Sequence, residues 1–333
     1  MNGRFLALAG TLGGTVVLWA SAFPAIRVGV DGLGVAGLSL ARLAVASAAL
    51  ALAAPVLKIR LPRRRDLPLI VLCGATGMAA YQLLLNWGEV HVAAGTASLL
   101  VSVAPVFSVI LATVLLGEHL TRYTVLGSLV AIAGAAVITL SGDGPVRLSA
   151  SAVAVLGAAL VQGVYHFASK PLLRRYSGRE VASYAMWTGT LLLVPLAPET
   201  ARAVASAAAA ATLAAGYLGL LPSALGFVSW GYAVARLPLA ASTAALYLVP
   251  PVALAVAYVW LGEVPHPAEL LGGAISICGV VLIHRRRPVL DRSGSARLPP
   301  RHGPDQSPAR AAPAPTVGVP AGLPGSMRGQ SEV

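Results

Sequence analysis

One arginine and one histidine stand where charge is expensive. Arg42 lies about ten residues into an apolar stretch spanning 33–57, and His166 sits inside another spanning 149–169. A charge at bilayer-centre depth costs at least ~2.5–3.5 kcal/mol on insertion scales, so Arg42 must face a cavity or a partner. Two chemistries fit it: a contact for the carboxylate of a bound solute, or a structural guanidinium bonded to helix-end carbonyls. No acidic residue is expected at its depth, which argues against an ion pair. His166 is the only histidine well inside an apolar stretch. It is either a buried, hydrogen-bonded ring or a group that exchanges a proton near neutral pH. If proton coupling exists, His166 or Glu89, at the outer end of the stretch 67–88, must carry it. The remaining candidates for a midplane solute site are Trp19, Ser21, Tyr81, Gln82, Asn86, Gln162, Tyr165, Trp230 and Tyr247. Tyr81, Gln82 and Asn86 should share one side of a helix, as should Gln162 and Tyr165. Apolar walls with a few hydrogen-bonding groups suit a small amphipathic solute, and aromatic faces can also hold a cation. Neither a His/Cys/Asp/Glu cluster with metal-ligand spacing nor a phosphate-binding G-x-x-x-x-G-K-[ST] loop is present, so no catalytic residue, metal or cofactor is assigned.

The elements that position these residues are marked by a repeat. Pro105 is followed twelve residues later by Gly117-Glu118, and Pro250-Pro251 by Gly262-Glu263, the two copies lying 145 positions apart. Leu126-Gly127 and Leu271-Gly272, Gly134 and Gly279, and Ile138 and Ile283 keep the same offset. Prolines inside helices remove a donor and clash with the preceding turn, so Pro105, Pro250 and Pro251 read as paired bends beside a pathway or as packing kinks. Glu118 and Glu263 oppose the helix dipole where they stand. They read either as gate latches, held by Arg or by backbone donors, or as solvated residues shaping a tight turn. Small residues at Gly127, Ala131 and Gly134, and at Gly272, Ser276 and Gly279, suit close helix packing.

Hydrophobic residues make up 57% of the chain and charged residues 11%, against roughly 25% charged in soluble domains. Apolar runs of bilayer-spanning length recur at 5–26, 33–57, 67–88, 92–116, 123–141, 149–169, 181–197, 211–235, 239–261 and 268–284. The fold class is therefore all-α integral membrane, with ten transmembrane helices. The stretch from Ala203 to Ala215 reads as an interfacial helix or as the start of the eighth span. The first span has the wrong length and flanks for a cleavable signal peptide. Cys73 and Cys278 both fall inside spans and read as small hydrophobes.

The net charge of +12 is distributed by loop. One side receives Arg4, Lys58, Arg60, Arg63, Arg64, Arg65, Arg122, Lys170, Arg174, Arg175, Arg179, Arg236 and Arg285 onward, the other only Arg27, Arg147 and Arg202. The positive-inside rule then places both termini in the cytoplasm of a multi-pass cell (plasma) membrane protein. The basic residues belong at anionic lipid headgroups, and no nucleic-acid partner is needed. Five spans per half make the second half, 149–284, enter oppositely to the first, 5–141: two inverted repeats, the topology of many secondary transporters. Residues 286–333, rich in Pro, Gly, Ser, Arg and Ala, read as a disordered cytoplasmic tail.

The segment WASAFPAIR from Trp19, Arg42, APVFSVILATVLLGE and its counterpart LVPPVALAVAYVWLGE, each followed by a G-x6-G helix, resemble the EamA-type branch of the drug/metabolite transporter superfamily. The resemblance spans roughly 10–285. It implies ten helices in two inverted EamA-like halves, a central cavity, and export or exchange of amino acids, related metabolites or drugs by alternating access. The partners expected are a small-molecule solute and membrane lipids, with a homodimer left open. An intramembrane lipid-modifying enzyme and a lipid-scrambling protein are the alternatives. The first would need an acidic or histidine cluster that the chain lacks, and the second would not require paired prolines at matching depth.

Overall fold

Every regular element among the residues that the computed structural model describes, 3–116, 122–140, 149–234 and 246–284, is helical. Glu118, the turn at Gly117 and the tail from 286 lie outside them. Helices α1 (Gly3–Ala20) and α2 (Ala22–Leu57) run almost continuously through Ser21. Where a loop is expected at 27–32, the helix instead continues to Gly34, whose φ of 67° and ψ of 173° break it at one residue. Glycine alone adopts that backbone without a Cβ penalty, which is why so short a break suffices.

The next run joins α3 (Leu67–Cys73), a π-helical segment (Gly74–Ala80) and α4 (Tyr81–Gly88). It is followed by α5 (Ala94–Val101), α6 (Ala104–Leu116) and α7 (Arg122–Leu140). The second half of the chain supplies α8 (Ala150–Leu173), α9 (Gly178–Leu193), α10 (Ala197–Ser206) and α11 (Ala209–Leu218). A second π-helical segment (Gly219–Leu225), α12 (Gly226–Val234), α13 (Val249–Leu261) and α14 (Pro267–His284) complete it. The two π segments lie 145 residues apart, the offset of the sequence repeat. The stretch around Ala203 to Ala215 resolves into the end of α10, a bend at Ala207–Ala208 and the start of α11.

Among the described residues, five apolar helical runs are long enough to cross a membrane: Gly10–Leu57, Arg64–Gly88, Ala150–Leu173, Gly178–Ser206 and Ala209–Ala233. Shorter apolar helices cover Ala94–Ser108, Val125–Ile138, Val249–Leu261 and Pro267–Gly279.

The prolines do not bend continuous helices. The chain leaves α5 through a turn at Ser102–Val103, and Pro105 is the second residue of the helix that restarts at Ala104. Pro250 and Pro251 likewise open α13, directly after a 3-10 turn at Leu246–Leu248. A first-turn position has no intrahelical acceptor waiting for the missing N–H, so proline is tolerated there and the break falls just before it.

The helices pack in pairs drawn from the two halves: α1 on α12, α4 on α8, α2 on α11, α5 on α13 and α7 on α14. The last pair is the closest. A Cβ on Gly279 would meet Gly127 O at 2.6 Å, and one on Gly272 would meet Gly134 O at 2.8 Å. Ser276 Oγ donates to Ala131 O at 3.0 Å across the same seam, so the small residues do mediate backbone-to-backbone packing.

Polar ties hold both ends of α2. Beyond its C-terminal end, Arg60 grips Glu180 with Nε to Oε1 at 2.7 Å and Nη2 to Oε2 at 3.2 Å. Glu180 also closes the capping box of α9 with Ser177, and its carboxylate raises the Arg60 guanidinium above its ordinary pKa. Asp66 pairs with Arg175 and accepts from Tyr176 OH at 2.7 Å. Near the start of α2, Arg27 pairs with Glu263 at 3.6 Å and donates to the carbonyls of Glu89 and Val90. Glu263 Oε2 also accepts from Ala94 N at 2.9 Å, capping α5 from the other half of the chain.

Candidate functional site

The α5–α6 break, the start of α13 and the second π segment open onto one cavity. Its volume is about 120 Å³, counted as room for the centres of water molecules. One water needs roughly 10–15 Å³ on that measure, so the space takes on the order of ten waters, room enough for a small amino acid. The α5–α6 break contributes Ser102 and Ala104, and the entry to α13 contributes Val249 and Pro250. Pro222 comes from the π segment.

Aromatic and aliphatic side chains form most of the wall: Trp19, Phe23, Ile26, Leu85 and Phe227. Trp19 is fixed by its indole N–H, which donates to Pro222 O at 3.0 Å. Its ring lies 5.3 Å from Phe227 and 5.5 Å from Trp230, centroid to centroid. Trp230 therefore stands beside Trp19 without lining the cavity itself.

The polar groups are few and incompletely paired. Arg42, 4% exposed, lines the cavity from α2. Its Nε and Nη2 donate to Ser223 Oγ at 3.3 and 3.2 Å, while Nη1 has no partner among the described residues. The helix-end carbonyls expected of a structural arginine are not what holds it; a single serine in the π segment does. Tyr81 and Glu89 lie within its electrostatic reach. Gln82 and Gln162 line the same space, each with an unpaired side-chain oxygen. Gln162 Nε2 is 3.4 Å from His166 Nε2, and both project into the cavity from successive turns of α8. One open donor and two open acceptors thus face an aromatic chamber.

Other expected residues point elsewhere. Asn86 donates to Ser39 Oγ at 2.8 Å and ties α4 to α2 instead of sharing the wall with Tyr81 and Gln82. Tyr165 lays its ring over Gly77, where any Cβ would collide with it. It packs edge-on to Phe227 at 6.2 Å, behind the wall that Phe227 forms, and does not line the cavity itself. Ser21 hydrogen-bonds Val17 O at 2.7 Å and Tyr217 OH at 2.6 Å. Pro251 is exposed, in an outer groove with Leu248 and Trp260. Tyr247 is the middle residue of the 3-10 turn, and its side chain, like that of Pro105, lies outside what the structure describes. Phe23, Ser98, Pro222, Ser223 and Phe227 escape the sequence reading because small or apolar residues carry no mark of their own among so many like them.

A chamber of this kind within a bundle of bilayer-length helices defines a membrane transporter rather than an enzyme. The chain belongs to the EamA-like transporter family, whose model matches residues 7–140 and again 149–285. It is 67% identical over 287 residues to a protein of Streptantibioticus cattleyicolor named a probable terminal-alkyne amino-acid exporter, covering 86% of this chain and 96% of that one. It is 37% identical to the uncharacterized transporter YdfC of Bacillus subtilis, covering 79% and 86% of the two chains. A solved crystal structure at 18% identity shares the fold with a TM-score of 0.58, over 86% of this chain and 97% of that one.

Proposed function

We propose that the chain exports a small amino acid bearing a terminal alkyne, as a secondary transporter of the cell membrane working by alternating access. The observation that carries this reading is the unpaired Nη1 of Arg42 inside an aromatic chamber with room for an amino acid. A guanidinium with an open N–H is suited to a solute carboxylate. Trp19, Phe23 and Phe227 suit a short apolar chain. The open oxygens of Gln82 and Gln162 can accept the weakly acidic terminal C–H of an alkyne. The alkyne itself comes from the name of the 67%-identical relative.

Architecture supports the mechanism. Gly10–Leu57, broken at Gly34, reads as two crossings, and with the other four long runs and four shorter helices gives ten. Matching π segments, and helices that start at matching positions just before Pro105 and Pro250, fit two inverted halves. With both termini cytoplasmic, the Arg27–Glu263 tie is external and the Arg60–Glu180 tie internal, so each acts as a latch on one face.

The test is counterflow in proteoliposomes: labelled 2-amino-4-pentynoic acid exchanging against the same compound, its saturated analogue and lysine. Exchange with the alkyne is expected to exceed the saturated analogue and lysine. Flux no greater than in protein-free liposomes for every amino acid offered would overturn the reading. Cysteines placed at Gly117 and Gly262 should label from opposite faces; labelling from a common face would end the inverted arrangement.

A further inference from the structure

The cavity holds a positive group with an open donor, and a carboxyl with no donor among the described residues lies just beyond it. Glu89 follows α4 and sits one residue past the apolar run Arg64–Gly88. Gln82, Leu85 and Glu89 fall at i, i+3 and i+7, one stripe of the helix; Gln82 and Leu85 line the cavity, and the stripe ends at the Arg27–Glu263 tie. Glu89 is 0% exposed, and neither carboxyl oxygen has a hydrogen-bond partner among the described residues. The hydrogen bond from Arg27 goes to the backbone carbonyl of Glu89 and not to its carboxyl. Four charged or titratable groups act on it: Arg42 and Arg27 from α2, Tyr81 from α4, and Glu263 after α13.

Burying an ionised carboxylate without donors is costly, so in this state the group carries a proton. It can release that proton only when a cation arrives to take the place. An α-amino acid brings such a cation next to its carboxylate. We infer that Arg42 and Glu89 form one site for a zwitterion, Arg42 taking the carboxylate and Glu89 the ammonium, so that solute and proton compete for Glu89. This rests on the amino-acid reading above and adds the driving force. On the side of higher pH, Glu89 gives its proton to water and binds the ammonium group. On the more acidic side, a proton from water returns to the carboxyl, cancels its charge and releases the solute. One proton enters for each amino acid that leaves. His166, bonded to Gln162 on α8, is not required to titrate.

Two measurements test this, one of them independent of flux. Dicyclohexylcarbodiimide adds to protonated carboxyls in apolar surroundings, and the adduct can be located by peptide mass spectrometry on the full-length protein. Glu89 should be labelled at pH 6, protected several-fold by 2-amino-4-pentynoic acid, and unprotected by its N-acetyl derivative, which keeps the carboxylate but has no ammonium. Absence of labelling, equal protection by the two compounds, or counterflow with no protection would overturn the inference. Protection without counterflow would leave the zwitterion site standing and remove the transporter reading of its substrate. In proteoliposomes, a one-unit pH gradient should drive up to a tenfold solute gradient in the wild type. Glu89→Gln should show no response to the gradient and Glu89→Asp should recover part of it. A Gln variant that still follows the gradient would refute the role assigned to Glu89.

Discussion

Replacing Arg42 by lysine tests the carboxylate contact while keeping the charge. The guanidinium spends Nε and Nη2 on Ser223, at 3.3 and 3.2 Å, and offers Nη1 to the cavity. A lysine ammonium has no fork with which to hold Ser223 and a solute at once, so the substitution is not conservative here. Hydrogen bonds to charged groups contribute about 1.5–3 kcal/mol each. Losing one to the solute should therefore raise the half-saturation concentration for counterflow about 10- to 150-fold. Ser223→Ala removes only the two long contacts that aim the guanidinium, whose charge and open N–H remain. It should cost about 1 kcal/mol, or about fivefold. Both variants need to be purified, checked for monodispersity and reconstituted at matched density, then compared over a full concentration series. Half-saturation of Arg42→Lys within twofold of wild type would show that the guanidinium does not hold the solute. A Ser223→Ala effect as large as that of Arg42→Lys would point to a structural role for the pair.

Other perturbations address the frame. Asn86→Ala should lower thermal stability by about 0.6–1.7 kcal/mol, the range for hydrogen bonds between membrane helices, and leave half-saturation within twofold; a melting curve and a flux series separate the two effects. Gly279→Ala places a methyl 2.6 Å from Gly127 O and 2.9 Å from Ala131 Cα. It should destabilise the protein by about 1–3 kcal/mol, read as an earlier melting transition. Glu263→Gln weakens a partly exposed pair with Arg27, an interaction of about 0–1 kcal/mol. Up to fivefold faster thiol labelling of a cysteine at Ser98, from that end alone, is the expected result.

Membrane character and the 145-residue offset were legible because hydropathy and repetition survive in one sequence without any contact being known. The candidates Trp19, Arg42, Tyr81, Gln82, Gln162 and His166 were legible too, because a polar group in an apolar helix is conspicuous, and they meet at one cavity. Direction was harder. Asn86 lies only about 40° from Gln82 on an ideal helix, yet Ser39 on α2 captures it. Tyr165 turns away because Gly77 leaves a hollow that only the packed partner reveals. The breaks before the prolines were read as bends because proline disfavours a helix interior and a first turn welcomes it, and spacing alone does not say which applies. Glu89 was legible as the outer end of its apolar stretch and as a candidate for proton coupling, but its burial was not, because Arg27 and Glu263, which act on it, meet from far apart in the chain.

The glycine seam between α7 and α14 bears on how such a molecule could move. Where main chains touch with no side chains between them, one rod cannot slide or roll over the other without a steric collision at several levels. The two helices are thus welded into a single strut that draws one member from each half of the protein. Whatever displacement carries cargo across must pivot against that strut and be absorbed by the segmented helices.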